Sequence, residues 1–229
     1  MDSVGSTNDE AARLAEQGAP EGTLVWARRQ TGGRGRRGRI WVSPPGNLYS
    51  STVVRPRCAA ARAAELGFVA ALAVADLVPA GRDVRLKWPN DVLVGGGKLA
   101  GILPESSIGH GGEVEYVVLG IGVNVDFAPE LPDMRYPGAC LGGTVEAALQ
   151  GLAGALARRL ADWRSQGFEA ARREWLAKAG PLGAEVSVRL GEELVEGRFA
   201  GLDASGALLL ETADGRRKIT SGELLGRAA

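Results

Sequence analysis

Apolar positions recur with a helical period in several stretches of the chain. From Val145 to Trp163 they follow 4,3,4,4,3 spacing, which predicts an amphipathic helix. Helices are also predicted from about Asp9 to Gln17, from Ala59 to Val78 and from Phe168 to Ala179. In the second of these, Leu66, Val69, Ala73 and Leu77 lie on roughly one face.

The first helix has recognisable end signals. Thr7 followed by Glu10 matches a capping box, so Thr7 is predicted to cap the helix. Gly18 is a predicted stop, because glycine readily adopts the left-handed conformation that ends helices.

Other stretches show the patterns typical of strands. "TLVWARRQ" alternates, and "RIWVSPPGNLYSSTVVRP" predicts two short strands around a Pro-Pro-Gly turn. "DVRLKWPNDVLVGGGKLAGILPES" predicts strand, proline break, strand, glycine turn and strand, with pairing disturbed near Pro104. "EVEYVVLGIGVNVDF" is strongly apolar and is predicted to lie centrally in a sheet.

The pattern changes at Gly180-Pro181. The runs "EVSVRL", "LVEGRFAGL", "ALLLET" and "RRKITS" follow, separated by turn signals such as Asp214-Gly215. Short strands at this spacing predict a small β-barrel. We therefore expect a larger domain over residues 1–180 and a C-terminal domain over 181–229.

Composition narrows the classes of function. The 27 basic residues balance 27 acidic ones, whereas nucleic-acid binders usually carry a basic excess. Cys58 and Cys140 lack a metal-binding spacing, and His110 is the single histidine. Without a signal peptide or a long apolar run, the expected location is cytoplasmic, with no membrane association. Any chemistry must then use lysine, arginine, carboxylate, amide and backbone groups.

Basic residues concentrate in "TGGRGRRGRIW", from Thr31 to Trp41. Its glycines match the G-x-G-x-x-G dinucleotide fingerprint, but the helix that this fingerprint requires does not follow. A nucleic-acid-binding segment and a solvated loop are two further interpretations. A cradle for phosphate and carboxylate groups is the fourth, because glycine exposes backbone N–H groups and arginine pairs bidentately with anionic oxygens.

A second cluster, "LKWPNDVLVGGGKLAGIL", supplies partners for such a cradle. Lys87 and Lys98 add two cations, while Asn90 and Asp91 add an amide and a carboxylate. The glycines before Lys98 predict a turn that presents this lysine at the start of an apolar strand.

Five motifs in order, "STN", "GRGRRGRIW", "KWPND", "KLAGIL" and "GIGVNV", resemble those of biotin protein ligases. The resemblance runs from Ser6 to about Leu225, and the final segment resembles the small C-terminal barrel of that family. It is closest to the short class, which lacks an N-terminal DNA-binding domain. The implied fold class is α+β, with a mixed β-sheet and flanking helices as in class II synthetases, plus an SH3-like β-barrel.

The resemblance implies ATP-dependent ligation of biotin, through biotinyl-5′-AMP, to a lysine of a biotin carboxyl carrier protein. Mg²⁺ would accompany ATP, and no nucleic acid is expected as a partner. Family members pair through sheet edges, which allows a homodimer. The alternatives are a lipoate or octanoate ligase, which shares the catalytic fold, and a nucleic-acid-binding module.

Residue roles follow from the same resemblance. The implied catalytic residues are Arg36, Lys98, Lys87 and Asp91. Biotin contacts are expected from Ser6, Thr7, Asn8, Gln30, Gly33, Arg34, Gly35, Arg36, Lys98 and Gly101, and contacts to ATP or the adenylate from Arg36, Arg39, Trp41, Lys87, Asn90, Lys98 and Asn124. The apolar "GIGVNV" strand would wall the thiophane ring, with Gly120 and Gly122 allowing close approach, while Asn124 can equally be a buried structural amide. Lys87 would neutralise phosphate charge, and Asn90 and Asp91 would face the triphosphate, Mg²⁺ or the incoming lysine.

Overall fold

A computed structural model of the chain describes residues 1–129 and 136–225. Within these ranges, the larger sheet contains β1 (Leu24–Ala27), β2 (Leu48–Val54), β3 (Val84–Lys87), β4 (Asp91–Val94), β5 (Gly97–Ile108) and β6 (Val114–Val123). They lie in the order β1-β2-β6-β5-β4-β3, and neighbouring strands pair antiparallel. Parallel pairing occurs only in isolated bridges of the described residues, Val4 with Gln30 and Lys98 with Gly138. The apolar run predicted to be central is β6, which confirms that prediction.

Helices cover both faces of this sheet. They are α1 (Thr7–Glu16), α2 (Ala60–Ala63), α3 (Glu65–Ala75), α4 (Val145–Gln166) and α5 (Phe168–Lys178). Along β6, Tyr116 and Val118 pack under α1, whereas the alternate residues Val117 and Leu119 join the core that contains α3 and α4. Alternate side chains of a strand point to opposite faces, so α1 lies on one face and the α3–α4 layer on the other. No helix in the described ranges is long and apolar enough to cross a membrane.

The predicted helix from Ala59 to Val78 is divided in two. Ala64 follows α2 and precedes α3, and every residue of α3 is buried. The residues outside the apolar face are buried as well, because α3 lies between β5 on one side and α4 and α5 on the other.

The start of α1 also differs from its prediction. Thr7 is the first helical residue and Ser6 holds the cap position, without a side-chain capping bond. The Thr7 hydroxyl instead donates to Gln30 Oε1 at 3.0 Å. Gly18 has φ of +86° just after the helix, as predicted for a stop.

The two strands predicted around the Pro-Pro-Gly turn reduce to one, β2. Residues before the turn form only an isolated bridge, between Arg34 and Ile40. Bonds from Gly35 N to Arg39 O (2.7 Å) and from Trp41 N to Gly33 O (2.9 Å) fold this segment onto itself. A narrow loop results, which we call the Gly-Arg loop (residues 32–41).

Pro104 lies inside β5 and pairs with Leu119 of β6. The expected disturbance does not interrupt the strand. The reason is that β4 pairs with β5 only from Gly97 to Gly101, so β5 has a single partner strand at Pro104.

The second sheet is formed by the C-terminal runs. It contains β7 (Glu185–Leu190), β8 (Glu193–Leu202), β9 (Leu208–Thr212), β10 (Gly215–Ile219) and β11 (Glu223–Leu224), in the antiparallel order β10-β9-β8-β7-β11. Gly206, between β8 and β9, joins it to the larger sheet, since the Nε1 of Trp88, which follows β3, donates to the Gly206 carbonyl at 3.2 Å. The α+β class with flanking helices is confirmed, but the strands of the larger sheet pair antiparallel where a mixed sheet was expected. The division at residue 181 stays a prediction, and residues 226–229 of its second part lie outside the described ranges.

Candidate active site

A cavity of about 880 Å³ opens on the α1 face of the larger sheet. Its volume is near the upper end for small-molecule sites, so it has room for two substrates. Most of the predicted site residues line it: Ser6, Thr7, Asn8, Gln30, Arg34, Gly35, Arg36, Arg39, Trp41, Lys87, Asn90, Asp91, Lys98 and Gly101.

Glycines form the floor of the cavity. Gly101 of β5 pairs in register with Gly122 of β6, and Gly120 pairs with Leu103. The indole of Trp41 rests on the first pair, since a Cβ at Gly122 would lie 2.5 Å from Trp41 Nε1 and one at Gly101 would lie 3.0 Å from Trp41 Cζ3. Larger residues would close this floor, which explains why glycine stands at both positions.

Neutral polar groups line one end of the cavity. Gln30 Oε1 accepts from the Thr7 backbone N–H at 2.8 Å and from the Thr7 hydroxyl at 3.0 Å. Gln30 Nε2 donates to Ser43 Oγ at 3.0 Å, and Ser43 Oγ donates to the Trp41 carbonyl at 2.7 Å. The amide of Gln30 is thereby fixed in one orientation, and these bonds use only one of the two N–H groups on its Nε2.

Asn8 completes this neutral end. Its Nδ2 donates to the Leu103 carbonyl at 3.2 Å, and its Oδ1 accepts from Ser51 Oγ at 2.6 Å over Gly120. Asn8 and Ser51 are both buried. Buried amides and hydroxyls need hydrogen-bond partners, so this network holds the polar groups in fixed directions.

Cationic groups gather at the opposite end. Lys98 Nζ lies 2.8 Å from Asp91 Oδ1, and Lys87 Nζ lies 3.7 Å from Asp91 Oδ2. Lys98 also stands over the Trp41 ring at 5.4 Å, and Lys87 over Tyr136 at 4.7 Å. Two lysines share one carboxylate here, which leaves a net positive charge for an anionic ligand.

The Gly-Arg loop brings further positive charge to the same end. Arg36 is partly buried, and its Nη1 donates to the Gly222 carbonyl of the second sheet at 3.3 Å. Burial lowers the pKa of Arg36, and the neighbouring Arg37 charge lowers it further. Because arginine remains protonated regardless, Arg36 is a desolvated cation that favours an anion beside it.

Two more arginines hold the loop against the second sheet. Arg39 Nη2 donates to Glu223 Oε2 at 2.5 Å, and this bond raises the pKa of Arg39. Arg37 Nη2 donates to the Arg189 carbonyl at 3.3 Å, and Arg37 has φ of +58°. These two hydrogen bonds, to Arg189 of β7 and Glu223 of β11, hold the loop at the mouth of the cavity.

Three predicted residues differ from the rest in their placement. Arg34 borders the cavity, but its guanidinium binds Asp9 bidentately at 2.5 and 2.7 Å and so lowers the pKa of Asp9. Gly33 is not among the lining residues and packs against Gln30 and Ser43. Asn124 is buried away from the cavity and donates to the Lys98 carbonyl at 3.0 Å.

Several lining residues lay outside the sequence predictions. Arg189, Gly222 and Glu223 come from the second sheet, and Tyr49 comes from β2. Burial raises the pKa of Tyr49 to about 12, so its hydroxyl, which donates to the Pro44 carbonyl, stays neutral. Only Tyr49 had a usable signal, since a single tyrosine in an otherwise aliphatic and hydroxyl-rich strand is unusual.

Comparisons with known proteins agree with this geometry. Residues 1–124 match the biotin/lipoate A/B protein ligase family, and residues 182–224 match the biotin protein ligase C-terminal domain. The biotin–[acetyl-CoA-carboxylase] ligase of Paracoccus denitrificans is 45% identical over 233 residues, which cover 96% of each chain. The bifunctional ligase/repressor BirA of Bacillus subtilis is 36% identical over 97% of this chain and 72% of its own.

Solved structures show the same similarity. The biotin protein ligase of Aquifex aeolicus, in complex with biotin and ATP, superposes with a TM-score of 0.80 at 29% identity, covering 98% of this chain and 95% of that one. Sequence and structure agree over almost the whole length, and the chain therefore belongs to the biotin protein ligases.

Proposed function

We propose that this ligase activates biotin with ATP to form biotinyl-5′-AMP and then transfers biotin to a lysine of a biotin carboxyl carrier protein. One observation carries the proposal: a single cavity joins a neutral hydrogen-bonding end to a cationic end across a glycine floor. Biotin has a neutral ureido ring, an apolar thiophane ring and a carboxylate in the same order. ATP adds the phosphates that the cationic end would bind.

The residues at the cationic end would act by charge and position. In the first step a biotin carboxylate oxygen attacks the α-phosphorus of ATP, and pyrophosphate leaves. Arg36, Lys98 and Lys87 would stabilise the negative charge that develops on the phosphate oxygens. In the second step the carrier lysine amine attacks the acyl carbon, a C–N bond forms and AMP leaves. Neither nucleophile belongs to this chain, so the protein would act by aligning the reactants and excluding water.

Magnesium belongs to the proposal through ATP. Mg²⁺ is usually bound by one or two carboxylates together with substrate phosphates. Both carboxylates among the lining residues, Asp91 and Glu223, are paired with basic side chains. We therefore expect Mg²⁺ to arrive on the triphosphate rather than to occupy a site built by this chain alone.

The alternatives fit the cavity less well. The dithiolane of lipoate offers no partners to the polar groups of Thr7, Asn8 and Gln30, and polar groups left unpaired in a site strongly disfavour a ligand. A nucleic-acid surface would need arginines whose guanidinium groups are available to phosphates, yet those of Arg36, Arg37 and Arg39 already donate to groups of the second sheet. A cytoplasmic location and a homodimer remain parts of the proposal; the unpaired thiols of Cys58 and Cys140 suit a reducing compartment.

The direct test is to mix the chain with biotin, MgATP and a purified carrier domain and to follow the carrier by intact mass. A gain of one biotin, dependent on ATP and absent with lipoate, is the expected result. Folded protein that releases no pyrophosphate in the presence of biotin would contradict the proposal. Pyrophosphate release without transfer would instead indicate a mismatched carrier.

Gln30→Ala tests the neutral end. It removes the acceptor for Thr7 and the donor for Ser43, so we expect the KM for biotin to rise roughly 10- to 100-fold, the loss of one or two hydrogen bonds. The KM for ATP should change less than threefold, since Gln30 lies away from the cationic end. Gln166→Ala, at the end of α4, is the matched control. Parallel rises in both KM values would show a general defect instead.

Substrates should also slow hydrogen exchange in the Gly-Arg loop. Its glycines and self-repelling arginines favour opening. Its anchors on the second sheet are an ion pair to Glu223 and two hydrogen bonds to backbone carbonyls, which contribute only about 0–1.5 kcal/mol each. We expect residues 32–39 to exchange more slowly once biotin and ATP are bound, as measured by mass spectrometry. Exchange that stays equal with and without substrates would rule out ligand-dependent ordering.

A further inference from the structure

A carboxylate outside the cavity contacts the neutral end. Glu105 belongs to β5 and accepts a hydrogen bond from Asn8 Nδ2 at 2.6 Å. The same Nδ2 donates to the Leu103 carbonyl. Two acceptors on one side of the amide require its nitrogen there, so Asn8 Oδ1 is directed over Gly120 toward Ser51.

The same carboxylate also faces the Gly-Arg loop. Arg34 Nη2 lies 3.7 Å from Glu105 Oε1, while the guanidinium binds Asp9 at 2.5 and 2.7 Å. Glu105 thus connects three segments that are distant in sequence: β5, the first turn of α1 and the beginning of the loop.

Stability does not explain this arrangement. The side chains of Glu105, Arg34 and Asp9 are 45%, 40% and 61% exposed. Ion pairs with that exposure contribute about 0–1 kcal/mol. Asn8, by contrast, is only 4% exposed, so the direction of its amide depends on the acceptors around it.

We propose that Glu105 is a positioning residue for biotin, which sets the direction of the Asn8 amide and fixes the base of the Gly-Arg loop through Arg34. The proposal rests on the proposed function, because it assigns the neutral end to biotin. Glu105 does not line the cavity and acts through its two neighbours. Its removal should weaken biotin binding and loosen the loop without changing ATP binding.

Two substitutions separate these effects. Glu105→Leu removes both the acceptor for Asn8 and the charge that faces Arg34. Glu105→Gln keeps an acceptor for Asn8 but has no charge. Glu115→Leu is the matched control, because Glu115 is an exposed glutamate of the neighbouring β6 that accepts a hydrogen bond from Ser107, outside the site.

Biotin-dependent exchange of labelled pyrophosphate into ATP gives both KM values without a carrier. For Glu105→Leu we expect the KM for biotin to rise about tenfold, with kcat and the KM for ATP within twofold. Glu105→Gln should keep the KM for biotin within threefold. Hydrogen exchange of residues 33–39 in the free protein should be faster in both variants and unchanged in Glu115→Leu.

A KM for biotin within twofold of wild type in Glu105→Leu would overturn the proposal, as would equal rises in both KM values or unchanged exchange in the loop. Failure of the proposed function would look different, because the wild-type chain itself would then show no biotin-dependent pyrophosphate exchange. The loop measurement needs no substrate, so it tests the contact with Arg34 in either case.

Discussion

Lys98→Met should reduce the kcat of biotin-dependent pyrophosphate exchange by about 10³-fold. The ammonium of Lys98 projects from the start of β5 to the cationic end of the cavity, where the proposed function places the biotin carboxylate and the α-phosphate of ATP. A single preorganised charge or donor aimed at the reacting phosphate contributes about 10²–10³ in rate. At about 4 Å and an effective dielectric constant near 20, a unit charge pair is worth roughly 4 kcal/mol before desolvation.

The control for this substitution is Lys178→Met, at the end of α5 and away from the cavity. Loss of Lys98 also leaves Asp91 with Lys87 as its remaining lysine. The double variant Lys98→Met, Asp91→Asn removes that imbalance, and its thermal midpoint shows whether the fold is intact. A folded Lys98→Met protein that retains more than a tenth of wild-type exchange would contradict the role given to Lys98.

Gly206→Ala should lower the free energy of unfolding by about 3 kcal/mol. Gly206 has φ of +82°, where an L-residue costs about 1–2 kcal/mol. An added Cβ would also lie 2.6 Å from Phe68 Cε2. Phe68 cannot retreat easily, because Phe168 and Trp175 pack edge-on against it, and such overpacking costs about 1–3 kcal/mol.

Calorimetry can separate the two contributions. For a chain of this length, about 3 kcal/mol corresponds to a fall of roughly 6–12 °C in Tm. Gly183→Ala is the matched control, since Gly183 has φ of +81° but nothing within 4 Å of an added Cβ. It should lose only the backbone contribution of about 1–2 kcal/mol. Equal losses in the two variants would refute the packing argument at Phe68.

Local sequence patterns predicted much of the fold. The strands around Trp88-Pro89 and the turn at Gly95–Gly97 lie where glycine, proline and period-2 signals placed them. The α4 helix follows from its apolar spacing, because one face of it is buried and the other exposed. At α3 the pattern predicted a helix but not its burial on all sides, since a helix without a polar face gives no signal of its orientation.

The site was predictable only where its residues lie within recognisable motifs. Lys87, Asp91 and Lys98 are close in sequence, and antiparallel pairing of β3, β4 and β5 brings them together. Glu105 and Ser51 gave no signal, because an exposed glutamate and a strand serine are ordinary residues until Asn8 is placed between them. Thr7 shows the opposite error: a strong local capping pattern lost to Gln30, a partner 23 residues away.

The hydrogen bond from Arg36 to the Gly222 carbonyl joins residues that are 186 positions apart. Contacts between such distant parts of a chain pay a large loop-closure entropy and tend to form late in folding. We therefore expect the floor of the cavity, which is built from neighbouring strands, to fold before the contacts with the second sheet that form its mouth. A chain truncated before Gly222 should keep a sheet able to hold the neutral end of a ligand, yet release reactive intermediate to water. Formation of the last strand therefore determines when the folding chain can retain a reactive intermediate in its cavity.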